Sequence, residues 1–293
     1  MDEPSSNRQS AYHVGRVSSL SDIDQDLYDA MRLYLIDDLG LSEEVARARA
    51  EQEQHRKIAV SVATSLAAAG IRLDGVKALD LGAGLGAMSE ELVLRGADVV
   101  SLEPGANWAR LTRRRVERHG GRFRLVEAFG EDIPLAPASV ELVVSLQVLE
   151  HVKDPAKVLG EAWRVLRPGG HFYLACENYL AFREAHYQVP WLPLLPKPLG
   201  RLYLKAIGRS PKFLDEAITY TTYPQVLRDC RRLGFIRHRD EEMAEGLRTK
   251  TGAKWDLLRV VARLAGAKAP AAIDRARHTF KFGIYELFRK PGG

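Results

Sequence analysis

Three glycines at alternate positions, Gly82, Gly84 and Gly86, follow the apolar run Ala78-Leu79-Asp80-Leu81. Glycine lets backbone, rather than side chain, face a ligand, so this spacing describes a loop built for close approach. A second apolar run, Val99-Val100-Ser101-Leu102, ends in the carboxylate of Glu103. An acid about 20 residues after such a glycine commonly binds ribose hydroxyls, and ligands of open α/β sheets sit outside the carboxyl ends of the strands. Together the two segments describe an adenosine-containing cofactor lying across the tips of two parallel strands.

The elements that must position these groups are legible around them. Ala78 to Leu81 suits a strand buried on both faces. Ala87 to Leu94 reads as a helix, with Gly96 as its stop signal. Glycine spacing alone leaves alternatives open. Ala87 stands where the dinucleotide pattern Gly-x-Gly-x-x-Gly/Ala would close, so a nicotinamide cofactor is one of them. A tight strand-to-helix turn with no ligand is another. A phosphate-binding P-loop is excluded because no Gly-Lys-Ser/Thr follows.

Downstream, Val140 to Ser145 reads as a further buried strand leading into Leu146-Gln147-Val148-Leu149-Glu150-His151-Val152. Asp154-Pro155 opens a helical pattern through Val158, Leu159, Ala162 and Leu166, with Pro155 suited to the first turn and Arg164 to the last. Arg167-Pro168-Gly169-Gly170 stops it, and His171 to Cys176 resumes as a strand. With these four motifs in order, the stretch from about Val76 to Cys176 resembles the class I S-adenosylmethionine-dependent methyltransferases. The resemblance is to the branch carrying Val-Leu-Glu-His-Val followed by Arg-Val-Leu-Arg-Pro-Gly-Gly.

That resemblance implies an α/β, Rossmann-like fold: a mostly parallel seven-stranded sheet with helices on both faces and helical insertions. It implies S-adenosyl-L-methionine as cofactor. Asp80, Gly82, Ala83, Gly84 and Gly86 would form the loop near its methionine end, with Glu103 and Pro104 at the ribose. Phe129, Gly130, Glu131 and Asp132 would border the adenine. Phe129 stands where many relatives place an acid, so Glu131 or Asp132 is left to meet the adenine amino group. Leu146 and Gln147 would lie beside the transferable methyl.

The expected activity is O-methylation of a hydroxyl on a small molecule or glycan. N- or C-methylation, or a catalytically inactive cofactor-binding partner protein, remain alternatives. A hydroxyl acceptor needs a proton acceptor, and imidazole, with an unperturbed pKa near 6.5, suits that task. His151 is the first candidate, with a structural turn as its competing role; His186 and Tyr187 are the second. No tight His/Cys/Asp spacing is present, so no metal is expected.

The remaining chain bounds the substrate. Its 293 residues are 46% apolar, enough for a real core in one large or two small domains. Residues 1–20 read as disordered, 21–70 as helical, with helices at Asp24 to Leu39 and Leu41 to Ala69, and 71–293 as the methyltransferase domain. Two inserts, about 177–220 and 241–272, are expected to form a substrate cap. The first holds Tyr179, Phe182, His186, Tyr187, Trp191 and Tyr203, which either face a flat or sugar ligand or form a small core. A helix Tyr223 to Leu233, a strand near Phe235 to Arg239 and a final strand His278 to Arg289 complete the pattern.

Lys197, Arg201, Lys205, Arg209 and Lys212 recur at one-turn spacing beside leucines. That reads as an ordinary surface helix or a peripheral membrane contact. The net charge of +5 owes much to Arg110, Arg113, Arg114, Arg115, Arg118, Arg122 and Arg124. A solvated helix face is the expected reading of that run, and nucleic acid is not expected as a partner. Two cysteines and a polar Met1 to Ser10 point to a reducing cytoplasm. The sequence leaves the oligomeric state open.

Overall fold

The computed structural model describes residues 20–37, 40–54, 56–238 and 279–292. The insert expected at 241–272, His278 of the last expected strand, and the segment 1–19 lie outside the described residues. Five strands run parallel: β1 (Lys77–Leu81), β2 (Asp98–Leu102), β3 (Phe123–Val126), β4 (Val140–Leu146) and β5 (Leu166–Glu177). A hairpin of β8 (Ile236–Arg237) and β9 (Gly283–Arg289) closes the edge, with β9 antiparallel to β5. The seven-stranded order is β3-β2-β1-β4-β5-β9-β8, the expected mostly parallel sheet.

Strand residues alternate between two cores, one on each face, because side chains of a strand point to opposite sides at period two. Leu79, Leu81, Val143, Phe172 and Leu174 belong to one face, under α6 (Pro155–Val165) and α9 (Tyr223–Leu233). Ala78, Leu142, Val144, Tyr173 and Ala175 belong to the other, under α3 (Lys57–Ala68) and α4 (Ala87–Leu94). The chain order reverses between β1 and β4, which makes their carboxyl ends the crevice where ligands bind.

Local signals hold at most termini. Asp154 caps α6 by accepting from Lys157 N at 3.0 Å, with Pro155 in the first turn. Asp154→Ala is expected to cost about 1 kcal/mol, read by urea unfolding. Thr222 and Gly234 bound α9 at the expected residues. Several boundaries differ: the first helix spans Leu20–Asp37 rather than Asp24 to Leu39, and β9 begins at Gly283 rather than His278. The helix expected over Leu41 to Ala69 is two, α2 (Glu43–Gln54) and α3, because Arg56 between them is left-handed at φ 50°. The Arg167 to Gly170 segment does stop α6, but it already belongs to β5. A Cβ on Gly170 would stand 2.8 Å from the Glu141 carbonyl oxygen, so only glycine lets that backbone approach β4.

α1 (Leu20–Asp37) and the first insert pack together. Leu35, Leu41 and Ala46 share a core with Tyr179, Tyr187, Trp191, Leu204 and Phe213, while Leu27 and Ala30 meet Leu85 and Leu111. The N-terminal helices therefore join the first insert to Leu85 of the glycine loop and Leu111 of the helix that follows β2. Besides the short hairpin β6 (Arg183–Glu184) and β7 (Val189–Pro190), the insert holds α7 (Lys197–Ala206) and α8 (Lys212–Glu216). On α7 Leu199 and Leu202 are exposed, while Lys197 donates to the Ile218 carbonyl and Arg209, beyond its end, to the Gly40 carbonyl. Among the described residues, no helix is long and apolar enough to cross a membrane.

The arginine run on α5 (Ala106–Glu117) corrects a sequence expectation. Arg115 is 1% exposed and bonds Glu90 at 2.7 Å, and Arg118 reaches the same carboxylate at 2.9 Å. Part of the run is thus internal ion pairing rather than a solvated face. Cys176 and Cys230 are free and buried.

Candidate functional site

The glycine loop between β1 and α4 keeps all three glycines in the left-handed region: Gly82 at φ 77°, Gly84 at 54° and Gly86 at 77°. The amides of Gly82 and Ala83 donate to the Leu102 carbonyl, tying the loop to β2. The glycines divide their tasks. A Cβ on Gly82 would lie 2.4 Å from Val148 Cγ2, and one on Gly86 would lie 2.8 Å from Thr112 Cγ2. A Cβ on Gly84 would meet nothing within 4 Å. Gly82 and Gly86 serve close packing, and Gly84 borders open space.

Glu103 holds that edge. Its Oε2 accepts from Gly84 N at 2.9 Å and its Oε1 from Gly105 N at 2.8 Å. Burial raises its pKa, and the two amides offset part of the rise. Pro104 beside it is half-buried. Asp80 is 2% exposed, and its Oδ2 accepts from Ser89 Oγ at 2.5 Å, which in turn meets Ser101 Oγ at 2.6 Å. Asp80 thus locks β1, α4 and β2 together beneath the loop. The serines carry no motif signal, since either would pass for an ordinary core residue.

On the adjoining side, Phe129 is 59% exposed while Gly130 packs on Leu81 and Val158. An exposed ring there offers a flat apolar face for adenine. Glu131 Oε1 accepts from the amides of Lys153 and Asp154, whereas Asp132 is exposed. Of the two acids expected near adenine, Glu131 gives Oε1 to a turn while its Oε2 is buried without a hydrogen-bond partner. Gln147 follows β4 in the left-handed region at φ 56°, and its Nε2 donates to Glu177 Oε1 at 3.1 Å; Leu146 is half-buried.

Beyond Gln147 lies a cluster that sequence reading found only in part. Glu150, Glu177 and Glu184 are 0%, 7% and 1% exposed, and they surround His151 and His186. Glu177 N donates to Glu150 Oε1 at 3.3 Å, whereas Glu150 Oε2 has no hydrogen-bond partner. Burial pushes both Glu150 and Glu177 up to about 8, and repulsion between neighbouring carboxylates adds to it. The two histidine rings stand 5.0 Å apart by centroid, and Phe213 packs on both.

His151 is exposed, with the His186 and Phe213 rings packed against its own. Its surroundings and the neighbouring His186 push its pKa down to about 4. His151 Nδ1 bonds the Ala217 carbonyl at 2.8 Å; a carbonyl only accepts, so Nδ1 carries the proton and Nε2 the lone pair. His186 Nδ1 bonds Glu184 Oε1 at 3.0 Å. Glu184 also accepts from Tyr187 N at 2.5 Å, and Arg49 of α2 donates to the Ala185 and His186 carbonyls.

Tyr187 takes a different place from the one expected. It is 0% exposed, donates to the Ser210 carbonyl at 2.8 Å and accepts from Leu214 N at 3.1 Å. Its hydroxyl holds the cap together. Tyr179 and Trp191 are likewise buried, at 4% and 3%, so these insert rings form a small core rather than a sugar-binding face. Glu150 sat in view beside His151, and Glu184 two residues before His186; neither carries spacing that marks it in sequence.

Residues 79–174 match the family described as "Methyltransferase domain". A ubiquinone biosynthesis O-methyltransferase of Methylobacterium sp. (strain 4-46) is 34% identical over 127 residues, 41% of this chain and 51% of that protein. One from Azotobacter vinelandii is 33% identical over 133 residues, 42% of this chain and 56% of that protein. The chain spans about half the length of these curated relatives. Among solved structures, an S-adenosylmethionine dependent methyltransferase from Mesorhizobium loti aligns with TM-score 0.50 at 19% identity, over 78% of this chain and 97% of that one. Residues 79–174 thus match a methyltransferase-domain family, and the sheet that carries them has the fold of S-adenosylmethionine-dependent methyltransferases.

Its residues fit that cofactor. The groups that would meet it are the open space at Gly84, the buried Glu103 carboxylate with lone pairs to spare, and the exposed ring of Phe129.

Proposed function

We propose that the chain methylates a hydroxyl group of a small molecule, using S-adenosylmethionine. The observation that carries this reading is the adjacency of two sites at the carboxyl ends of neighbouring strands. The Gly84/Glu103 cofactor edge follows β1 and β2; the His151/His186 cluster follows β4 and β5, under the insert. The printed names of the curated relatives, O-methyltransferases, support the choice of oxygen. The burial of Tyr179, Tyr187 and Trp191 favours a small molecule over a glycan.

Bound there, the cofactor supplies a methyl group on a sulfonium, with a neutral thioether as leaving group. The chain's residues supply alignment, which is worth several kcal/mol when nucleophile and electrophile are held in line. Gln147, fixed by Glu177, borders the space between the two sites. His151 Nε2, with its lone pair, is positioned to accept the proton of the hydroxyl.

Titration calorimetry with S-adenosylhomocysteine, with NAD as control, tests the cofactor half. Saturable binding of the first alone is expected; binding of NAD instead would overturn the reading. For the acceptor half, phenolic and aliphatic alcohols are screened for methyl transfer. His151→Ala is expected to keep S-adenosylhomocysteine affinity while slowing transfer about 100-fold. Unchanged turnover would remove His151 from the reaction.

A further inference from the structure

We infer that Glu150, His151 and His186 form a site for a divalent transition-metal ion, in the cluster beyond the cofactor edge. Their ligand atoms lie within 4.8 Å of one another, close enough for one ion to draw all three into its shell. Three features of the surroundings distinguish this from chance proximity.

The first is Glu150 itself, fully buried, with Oε2 lacking any hydrogen-bond partner. Buried polar atoms are almost always satisfied, so an orphaned carboxylate oxygen beside two imidazoles calls for a cation. The second is the pair of bonds behind the rings. His151 Nδ1 is tied to the Ala217 carbonyl and His186 Nδ1 to the Glu184 carboxylate. Metal-ligating histidines characteristically spend their other ring nitrogen this way, which fixes the tautomer and leaves Nε2 for the ion.

The third is the rigidity of that backing. Glu184 accepts from Tyr179 Oη and Tyr187 N as well, and Arg49 of α2 pins the His186 carbonyl in the β6–β7 turn. Such an arrangement holds a ring in place before any ligand arrives. The expectation of no metal came from spacing along the chain. His186 reaches the other two only through the folded insert, so no sequence interval could reveal it.

Two imidazoles and one carboxylate suit zinc, iron(II), cobalt(II) or manganese(II), whereas magnesium and calcium prefer all-oxygen sets. Three protein ligands leave a coordination position open, which water or an acceptor oxygen can take. Its use in methyl transfer rests on the reading given above. A coordinated hydroxyl is more acidic, so in the loaded site its proton can pass to solvent water, and His151 serves as proton acceptor only while the metal site is empty.

Cobalt(II) is the probe, because its coordination by nitrogen and oxygen gives visible absorption. Chelator-treated full-length protein titrated with cobalt(II) is expected to bind one ion per chain, and added zinc is expected to displace it. His186→Ala and Glu150→Gln should each weaken binding at least 10-fold. Glu184→Gln, which alters only the support, should weaken it about 10-fold or more. His171→Ala, in the separate His171/His238 pair, should leave it unchanged.

Circular dichroism of each variant verifies folding, and half-buried His186 provides the readout should Glu150→Gln fail to fold. Absence of saturable cobalt binding, or equal affinity in His186→Ala, would overturn the site. S-adenosylhomocysteine titration of the same samples separates the two claims. Cobalt uptake without that binding supports the site and sinks the methyltransfer reading; the reverse overturns the site and spares the reading.

Discussion

Glu90→Leu is expected to cost about 3–5 kcal/mol of folding stability, the range for breaking a buried ion pair by removing one partner. Glu90 is 1% exposed and gathers four cationic or ionisable side chains. Arg115 Nε lies 2.7 Å from Oε2, Arg118 Nη2 2.9 Å and His119 Nε2 2.5 Å from Oε1, and Arg56 Nη1 3.5 Å from Oε2. Removing the carboxylate strands the Arg115 guanidinium, itself 1% exposed, without its counter-charge. Replacing both members with apolar groups avoids that penalty, so Glu90→Leu with Arg115→Met should be more stable than Glu90→Leu alone. Urea unfolding of the wild type, both single variants and the double variant measures the coupling. A loss under about 1 kcal/mol in Glu90→Leu would show that water relaxes around Arg115 and that the pair is weak.

The same carboxylate gives an acid signature. Burial alone would raise its pKa, but Arg115, Arg118 and His119 outweigh it and lower the value from 4.5 to about 2. Because the folded-state value is depressed, the stabilisation is present above about pH 4.5 and is lost as pH falls towards 2. Its size at neutral pH is about 3 kcal/mol. Stability of Glu90→Leu should therefore fall less steeply across that window than that of the wild type. The effect reaches the cofactor edge: Arg115 Nη1 donates to the Leu85 carbonyl, and Thr112 Oγ1 to the Gly84 carbonyl at 2.6 Å. The glycine loop is held from α5 as well as from β2.

Much of this organisation is written locally in the chain, and the remainder depends on contacts distant in sequence. Leu79 and Val143 read as buried strand residues because both faces of a parallel sheet are covered. Pro155 and Gly234 bound helices through their own backbone geometry, without help from neighbours. Glu103 was legible for the same reason, since its distance from Gly82 is a distance along the chain. Arg115 was not: it reads as one more cation in a basic run until Glu90, on another helix, is brought to it. Tyr187 offered a reactive hydroxyl in sequence, yet Ser210 and Leu214 claim it once the insert folds. The cluster around Glu150 shows the limit most clearly. The sequence singled out His151 and His186 as separate candidates, while Glu150 and Glu184, and the contact of the two rings, acquire meaning only once the insert is folded against the end of β4.

Glu103→Ala carries the largest expected effect on ligand binding, about a 100-fold loss of S-adenosylhomocysteine affinity, or about 2.7 kcal/mol. Each carboxylate oxygen already accepts one amide, from Gly84 or Gly105, and retains lone-pair capacity for a ribose hydroxyl. Two charge-assisted bonds to a diol, at about 1.5–3 kcal/mol for the first broken and less for the second, account for the figure. Glu103→Gln should be nearly as severe, because its amide NH2 would face the backbone N–H of Gly84 or Gly105, donor against donor. A merely structural Glu103 predicts otherwise: the alanine variant would lose thermal stability and keep its affinity. The pH dependence sharpens the distinction. Burial holds the carboxyl above the ordinary glutamate value, so affinity should decline as pH falls through that raised pKa, sooner than an exposed glutamate would allow. Calorimetry across pH with wild type and Glu103→Ala reads both effects; equal affinity in the two proteins at neutral pH removes the ribose assignment.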